Sequence, residues 1–157
     1  MRIEIGAVKV EVGIQREPDA LDLPLPDYAT AGAAGLDLRA AIAPSLTLLP
    51  GARALVSTGL RIFLPNGYEG QIRPRSGLAW RQGLTLLNSP GTLDSDYRGV
   101  VKVILINFGE QAATVQRGDR VAQLVIAPVA RVVWTESADA GTAEAGRGEG
   151  GFGSTGK

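Results

Sequence analysis

The run Gly91-Thr92-Leu93-Asp94-Ser95-Asp96-Tyr97-Arg98-Gly99 gathers two carboxylates, a phenol and a guanidinium between two turn glycines. A carboxylate in water is ionised at pH 7, so Asp94 can take a proton from a water molecule and act as a general base. Apolar runs at 84–87 and 100–106 flank the cluster, which places it at the tip of a β-hairpin on a rigid base. Taken alone, the loop reads equally as a solvated, Asp-rich turn.

Three other runs carry chemistry of the same grade. Arg73-Pro74-Arg75-Ser76-Gly77-Leu78-Ala79 sets two arginines and a serine at the start of a short helix predicted over 76–82, with Ser76 as its N-cap. Helix-start N–H groups and guanidinium groups favour an anion there, and a basic turn paired with surface carboxylates is the alternative. Arg117-Gly118-Asp119-Arg120-Val121-Ala122-Gln123-Leu124 reads as a turn leading into a strand. Gln123 faces away from Val121 and is the ligand contact of this run, while Asp119 is expected to pair with an arginine from another loop. In Ala34-Gly35-Leu36-Asp37-Leu38-Arg39, leucine alternates with charge. Asp37 is then either a solvated strand residue or a carboxylate near a metal-bound water.

Composition narrows the chemistry further. The chain has 157 residues, within the span of one domain, and contains no Cys and no His. Thiolate nucleophiles, imidazole bases and disulfides are thereby excluded, and a metal would need oxygen ligands, as Mg²⁺ or Ca²⁺ does. Sixteen basic residues balance sixteen acidic ones, so no net field argues for a nucleic acid or a membrane as partner. No apolar stretch reaches the length of a membrane span, and Met1-Arg2-Ile3-Glu4 lacks a signal-peptide core, so a cytoplasmic location is expected.

The elements that must position these residues are short. Aromatic content is only 5% while Gly and Pro number 21 and 9, which favours many strands joined by tight turns. Strands are predicted over 3–12, 46–49, 54–64, 68–73, 84–87, 100–107, 112–115, 121–126 and 129–134, the first with a bulge near Gly6-Ala7. The expected class is all-β, a sandwich, jelly roll or barrel with one short helix. Beyond about Glu136 the composition turns to Ala, Gly, Ser, Thr and charge, so the expected division is a β domain over 1–135 and a C-terminal arm over 136–157. Within the arm, Arg147 and Phe152 stand among glycines between 147 and 156, an arrangement suited to folding over an anionic, aromatic ligand or simply to a linker.

Five runs in order carry more weight than any one. Ala-Gly-Leu-Asp-Leu at 34–38, Arg-Pro-Arg-Ser-Gly-Leu-Ala at 73–79, the run from Asn88 to Gly99, Arg-Gly-Asp-Arg-Val-Ala-Gln-Leu at 117–124 and Arg-Gly-Glu-Gly-Gly-Phe-Gly-Ser-Thr-Gly at 147–156 closely resemble the ordered motifs of the trimeric dUTPase family. The resemblance implies a jelly-roll-like β fold in a homotrimer with an exchanged C-terminal tail, each site drawing on all three subunits. It implies hydrolysis of dUTP to dUMP and pyrophosphate with Mg²⁺ on the triphosphate, which keeps uracil out of DNA and supplies dUMP for thymidylate synthesis. By motif position, Asp94 would activate the water. Asn88 and the hairpin backbone at Thr92 and Leu93 would read the uracil, and Tyr97 would pack under the deoxyribose. Arg75, Ser76, Gly77 and Gln123 would hold phosphate oxygens, Arg147 would reach the γ-phosphate, and Phe152, with Gly153 beside it, would cap the base. Asp37 would act through waters on Mg²⁺. Trp80, Gln82 and Val100 depart from the usual pattern and would face neighbours in the assembly. The alternatives are a dCTP deaminase-like enzyme of the same architecture and a non-catalytic trimeric nucleotide-binding module.

Overall fold

The computed structural model describes residues 9–136. Among these residues eleven strands form four antiparallel sheets. β1 (Gly13–Arg16) pairs with β5 (Leu60–Phe63), and β3 (Leu46–Leu48) pairs with β10 (Ala113–Val115). A three-stranded sheet runs β4 (Arg53–Ser57), β9 (Lys102–Asn107), β7 (Leu84–Leu86). A four-stranded sheet runs β2 (Leu36–Arg39), β11 (Arg120–Pro128), β6 (Tyr68–Arg73), β8 (Gly91–Leu93). The one α-helix, α1 (Ser76–Gln82), follows β6, and a 3-10 turn spans Pro18–Ala20.

Alternation along the strands builds the core. Leu38, Val56, Val101, Leu105 and Val115 are fully buried, and they join Ile62, Ile72, Leu93 and Leu124 in one cluster that draws on every sheet. Asn107 is buried among them with its amide satisfied: Nδ2 donates to the carbonyls of Leu48 and Gln111, and Oδ1 accepts from the Gly109 N–H. Such full pairing is what makes a buried polar side chain tolerable.

Several expectations are revised. Of the predicted strand over 3–12, residues 3–8, with the bulge near Gly6, lie outside the described residues, residues 9–12 are irregular, and the first described strand is Gly13–Arg16. The predicted 54–64 strand is two, because Gly59 takes φ +66° and turns the chain between β4 and β5. Residues 129–134 form no strand, and Val132, Val133 and Trp134 are exposed. Two strands of only three or four residues, β2 and β8, were hidden inside motif runs. The hairpin reading holds with an elaboration. β7 and β9 do pair, Leu84 opposite Asn107, but the long excursion between them carries β8 to a different sheet, where Thr92 lies opposite Gln71 of β6.

Candidate functional site

One cleft, about 530 Å³ in volume, lies where β2, β11 and α1 meet. Asp37, Gln123 and Arg73 are directly opposed across β2, β11 and β6, so their side chains share the outer face of that sheet. A register shift between Arg120 and Ala122 lets Val121 and Ala122 both bury while Gln123 points outward, which is how Gln123 comes to oppose Val121 only two residues away. Gln123 Nε2 donates to the Pro74 carbonyl at 2.9 Å, tying β11 to the turn before the helix. A Cβ at Gly35 would lie 2.3 Å from Gln123 Oε1, so glycine there leaves the Gln123 amide its place.

Asp37 is neither solvated nor alone. Its Oδ1 accepts from Arg75 Nε at 2.8 Å and its Oδ2 from an Arg120 guanidinium nitrogen at 3.1 Å. The pair is part-buried, and it holds the planar Arg75 fork in a fixed orientation. Arg73, Arg75, Arg81 and Arg120 all line this cleft against the single carboxylate of Asp37, so its field is positive. Ser76 and Gly77 lie in the same cleft. Ser76 is the first helical residue and not the N-cap: Arg75 occupies that position, with extended φ and ψ and no side-chain cap bond. The Ser76 hydroxyl is therefore left for the cleft. Among the described residues Asp119 makes no arginine pair; its carboxylate accepts the Gln116 N–H at 2.8 Å and closes the turn into β11.

A second cleft, about 630 Å³, collects Asn88, Thr92, Leu93, Asp94 and Tyr97. Gly91 and Leu93 of β8 turn inward and are buried, while Thr92 and Asp94 face out. Asp94 is exposed at the end of the strand and also borders an adjoining recess with Asp96 and Arg131. The Tyr97 ring folds back over Gly99, where a Cβ would lie 2.3 Å from its hydroxyl, and that hydroxyl donates to the Val100 carbonyl at 3.1 Å. Two cations that sequence reasoning missed line this cleft, Arg61 and Lys102. No local motif marks either: each is the outward residue of a strand whose neighbours face the core. The hydrogen bond to Glu17 raises the Arg61 guanidinium pKa above its ordinary value, so Arg61 stays charged.

No residue lines both clefts. Among the described residues, those assigned to phosphate and those assigned to nucleoside and water thus line two separate clefts. Arg147, Phe152 and Gly153 lie outside the described residues. Among the described residues no three carboxylates lie together as a metal cage. Each Asp37 oxygen already carries a guanidinium but keeps a lone pair, so it suits a water on Mg²⁺ better than the ion itself. No helix among the described residues is long and apolar enough to cross a membrane.

Comparison with known proteins matches the chain to a family. The family model described as dUTPase matches residues 22–156. The chain is 60% identical over 147 residues to the deoxyuridine 5'-triphosphate nucleotidohydrolase of Methylocella silvestris, covering 92% of this chain and 91% of that one. Its identity to the corresponding protein of Wolbachia sp. subsp. Brugia malayi is 54% over 156 residues, 99% of each chain. In fold it matches the dUTPase of Staphylococcus bacteriophage 80alpha, solved with dUPNHPP, at a TM-score of 0.82 and 22% identity over 94% of this chain and 99% of that one. A phage phi11 dUTPase mutant, with a TM-score of 0.72, 19% identity and coverage of 82% and 97%, was solved with a structural Mg(II) ion. Over nearly its whole length, then, this chain belongs to the dUTPase family.

Proposed function

We propose that this dUTPase hydrolyses dUTP in a site that copies of the chain complete for one another, one copy giving the nucleoside cleft and another the cationic cleft. The reaction is dUTP plus water giving dUMP and pyrophosphate. The single observation that carries the shared site is the separation just described: the phosphate-holding and water-activating residues lie in clefts with no residue in common. Leu55, Trp80 and Trp134 stand 60%, 91% and 90% exposed in the single chain, apolar surface that neighbouring copies would cover. A closed ring of three copies with head-to-tail contacts joins each nucleoside cleft to a neighbour's cationic cleft.

Within such a site Asp94 takes the proton of the attacking water, which approaches the α-phosphorus in line with the departing pyrophosphate. No covalent intermediate is required, so the lack of Cys and His removes nothing from the mechanism. Asn88 and the backbone at Thr92 and Leu93 orient the uracil, and Tyr97 fills the space below the sugar. Arg75, with Ser76, Gly77 and Gln123, binds phosphate oxygens and stabilises charge as it develops. Mg²⁺ on the triphosphate supplies further charge neutralisation for the leaving group. Asp37 holds the Arg75 fork and accepts hydrogen bonds from waters at its free lone pairs. The arm beyond 136, with Arg147, Phe152 and Gly153, closes over the bound nucleotide and excludes bulk water.

Pyrophosphate release with Mg²⁺, measured in parallel on dUTP, dCTP, dTTP and UTP with ammonia assayed in the dCTP sample, tests this reading. Release from dUTP alone is expected. Ammonia from dCTP, or silence throughout, would overturn it.

A further inference from the structure

The loop that carries Asp94 and Tyr97 is held from below. Its two ends are secured by sheet contacts: Leu93 sits in β8 opposite Gly70, and the Val101 N–H donates to the Leu60 carbonyl at 2.8 Å. Asp94 adjoins the first anchor, whereas Tyr97, Arg98 and Gly99 form the middle, away from both sheet contacts. There Arg98 folds onto its own loop, one guanidinium nitrogen donating to the carbonyls of Ser95 and Tyr97 at 2.8 Å each.

What that middle rests on is a platform of β5. Arg61 and Phe63 alternate with the buried Leu60 and Ile62, so both face outward side by side. The Arg98 guanidinium stands 5.9 Å from the centroid of the Phe63 ring, within cation–π reach. Arg61 donates from one terminal nitrogen to the Arg98 carbonyl at 2.7 Å, and its Nε is fixed by Glu17 at 2.7 Å. Gly13 lies opposite Phe63, and a Cβ there would come within 3.2 Å of the ring, so glycine leaves the ring its place.

We infer that Arg61, oriented by Glu17, is a positioning residue that fixes the height of the Tyr97 ring and thereby sets discrimination against ribonucleotides. The inference rests on the assignment of Tyr97 to the face of the sugar. Exclusion of a hydroxyl by contact is steep in distance, and a displacement of order 1 Å is enough to change a rate on the order of 100-fold. Arg61 serves two acceptors in different directions, the Glu17 carboxylate and the Arg98 carbonyl, which a planar fork does and a lysine ammonium does not reproduce. Because Asp94 is anchored separately through β8, loss of the clamp should reach selectivity before it reaches the chemistry of dUTP.

The test is kcat and kcat/KM on dUTP and UTP for the full chain and for Arg61→Gln, Arg61→Lys, Glu17→Gln and Tyr97→Ala. Arg61→Gln should narrow the preference for dUTP by about tenfold or more while kcat on dUTP stays within about threefold, with Glu17→Gln acting in the same direction and Arg61→Lys failing to restore it fully. Glu17→Gln keeps the test alive if replacement of Arg61 impairs folding, since it removes the charge that orients the arginine and leaves a weaker neutral acceptor in its place. A preference unchanged in Arg61→Gln and Glu17→Gln, or rates on both nucleotides falling in parallel, overturns the inference while Tyr97→Ala still abolishes selectivity. If Tyr97→Ala leaves selectivity intact, the Tyr97 assignment falls and the clamp falls with it.

Discussion

Asp94 stands at the end of a three-residue strand with its carboxylate exposed at the rim of the nucleoside cleft. If it activates water, Asp94→Asn removes the base and keeps the shape. Turnover should then fall by roughly 100-fold to 10,000-fold while affinity for a non-hydrolysable dUTP analogue changes little. Near-normal kcat in that variant would contradict the assignment. Tyr97→Ala should open space for a 2′-hydroxyl, so that UTP becomes a substrate in the same pyrophosphate assay. At this scale the types and spacing of the reactive residues were legible, because hairpin and turn chemistry is local. The partners were not. Asp37 meets Arg75 and Arg120 across 38 and 83 residues of chain, and no local pattern encodes such a meeting. For the same reason Asp119, expected to pair with an arginine, closes its own turn instead.

Among the elements, those with strong periodicity or clear punctuation were readable, including α1 and the pairs that flank the reactive loop. β2 and β8 were missed because three or four residues are too few to display a period, and their partners, not their own sequence, make them strands. The helix terminus offers a stability test. Gly83 ends α1 at φ +65°, and a Cβ there would lie 2.2 Å from the Gly109 backbone nitrogen. Gly83→Ala should cost about 2 kcal/mol or more, read as a lowered urea midpoint. Another test concerns the turn before β11. The Arg117 guanidinium hydrogen-bonded to Asp22 holds that carboxyl below the usual carboxylate range. A depressed folded-state pKa stabilises the fold above the unfolded value and ceases to do so as pH falls through the folded one. Asp22→Asn should therefore melt slightly below the parent protein at pH 7, with the two curves converging as pH falls through the lowered pKa of that carboxyl. A constant gap across that range would show that the pair's charge is irrelevant.

For the whole molecule, the fold is a set of antiparallel sheets around one core, and the functional unit proposed above is larger than the chain. The family resemblance carried both ideas from sequence, but composition alone did not show that the reactive residues would divide into two clefts. The arm enters at this scale as well. Truncation after Gly146 should sharply lower kcat/KM for dUTP while leaving thermal stability nearly unchanged, because the core cluster of the described residues is built from strands that end by Pro128. Loss of the folded assembly on truncation would show that the arm is structural.

Complementation tests the shared site most directly. Chains carrying Arg75→Ala, which keep Asp94, are to be co-expressed with chains carrying Asp94→Asn, which keep Arg75, and the mixed assemblies isolated by two different tags. Each homogeneous variant should be nearly inactive. If the clefts work across neighbours in a closed three-membered ring, each mixed assembly regains about one intact site in three and dUTP hydrolysis returns in proportion. Mixed assemblies as inactive as their parents would place both clefts of a working site on one chain and contradict the account.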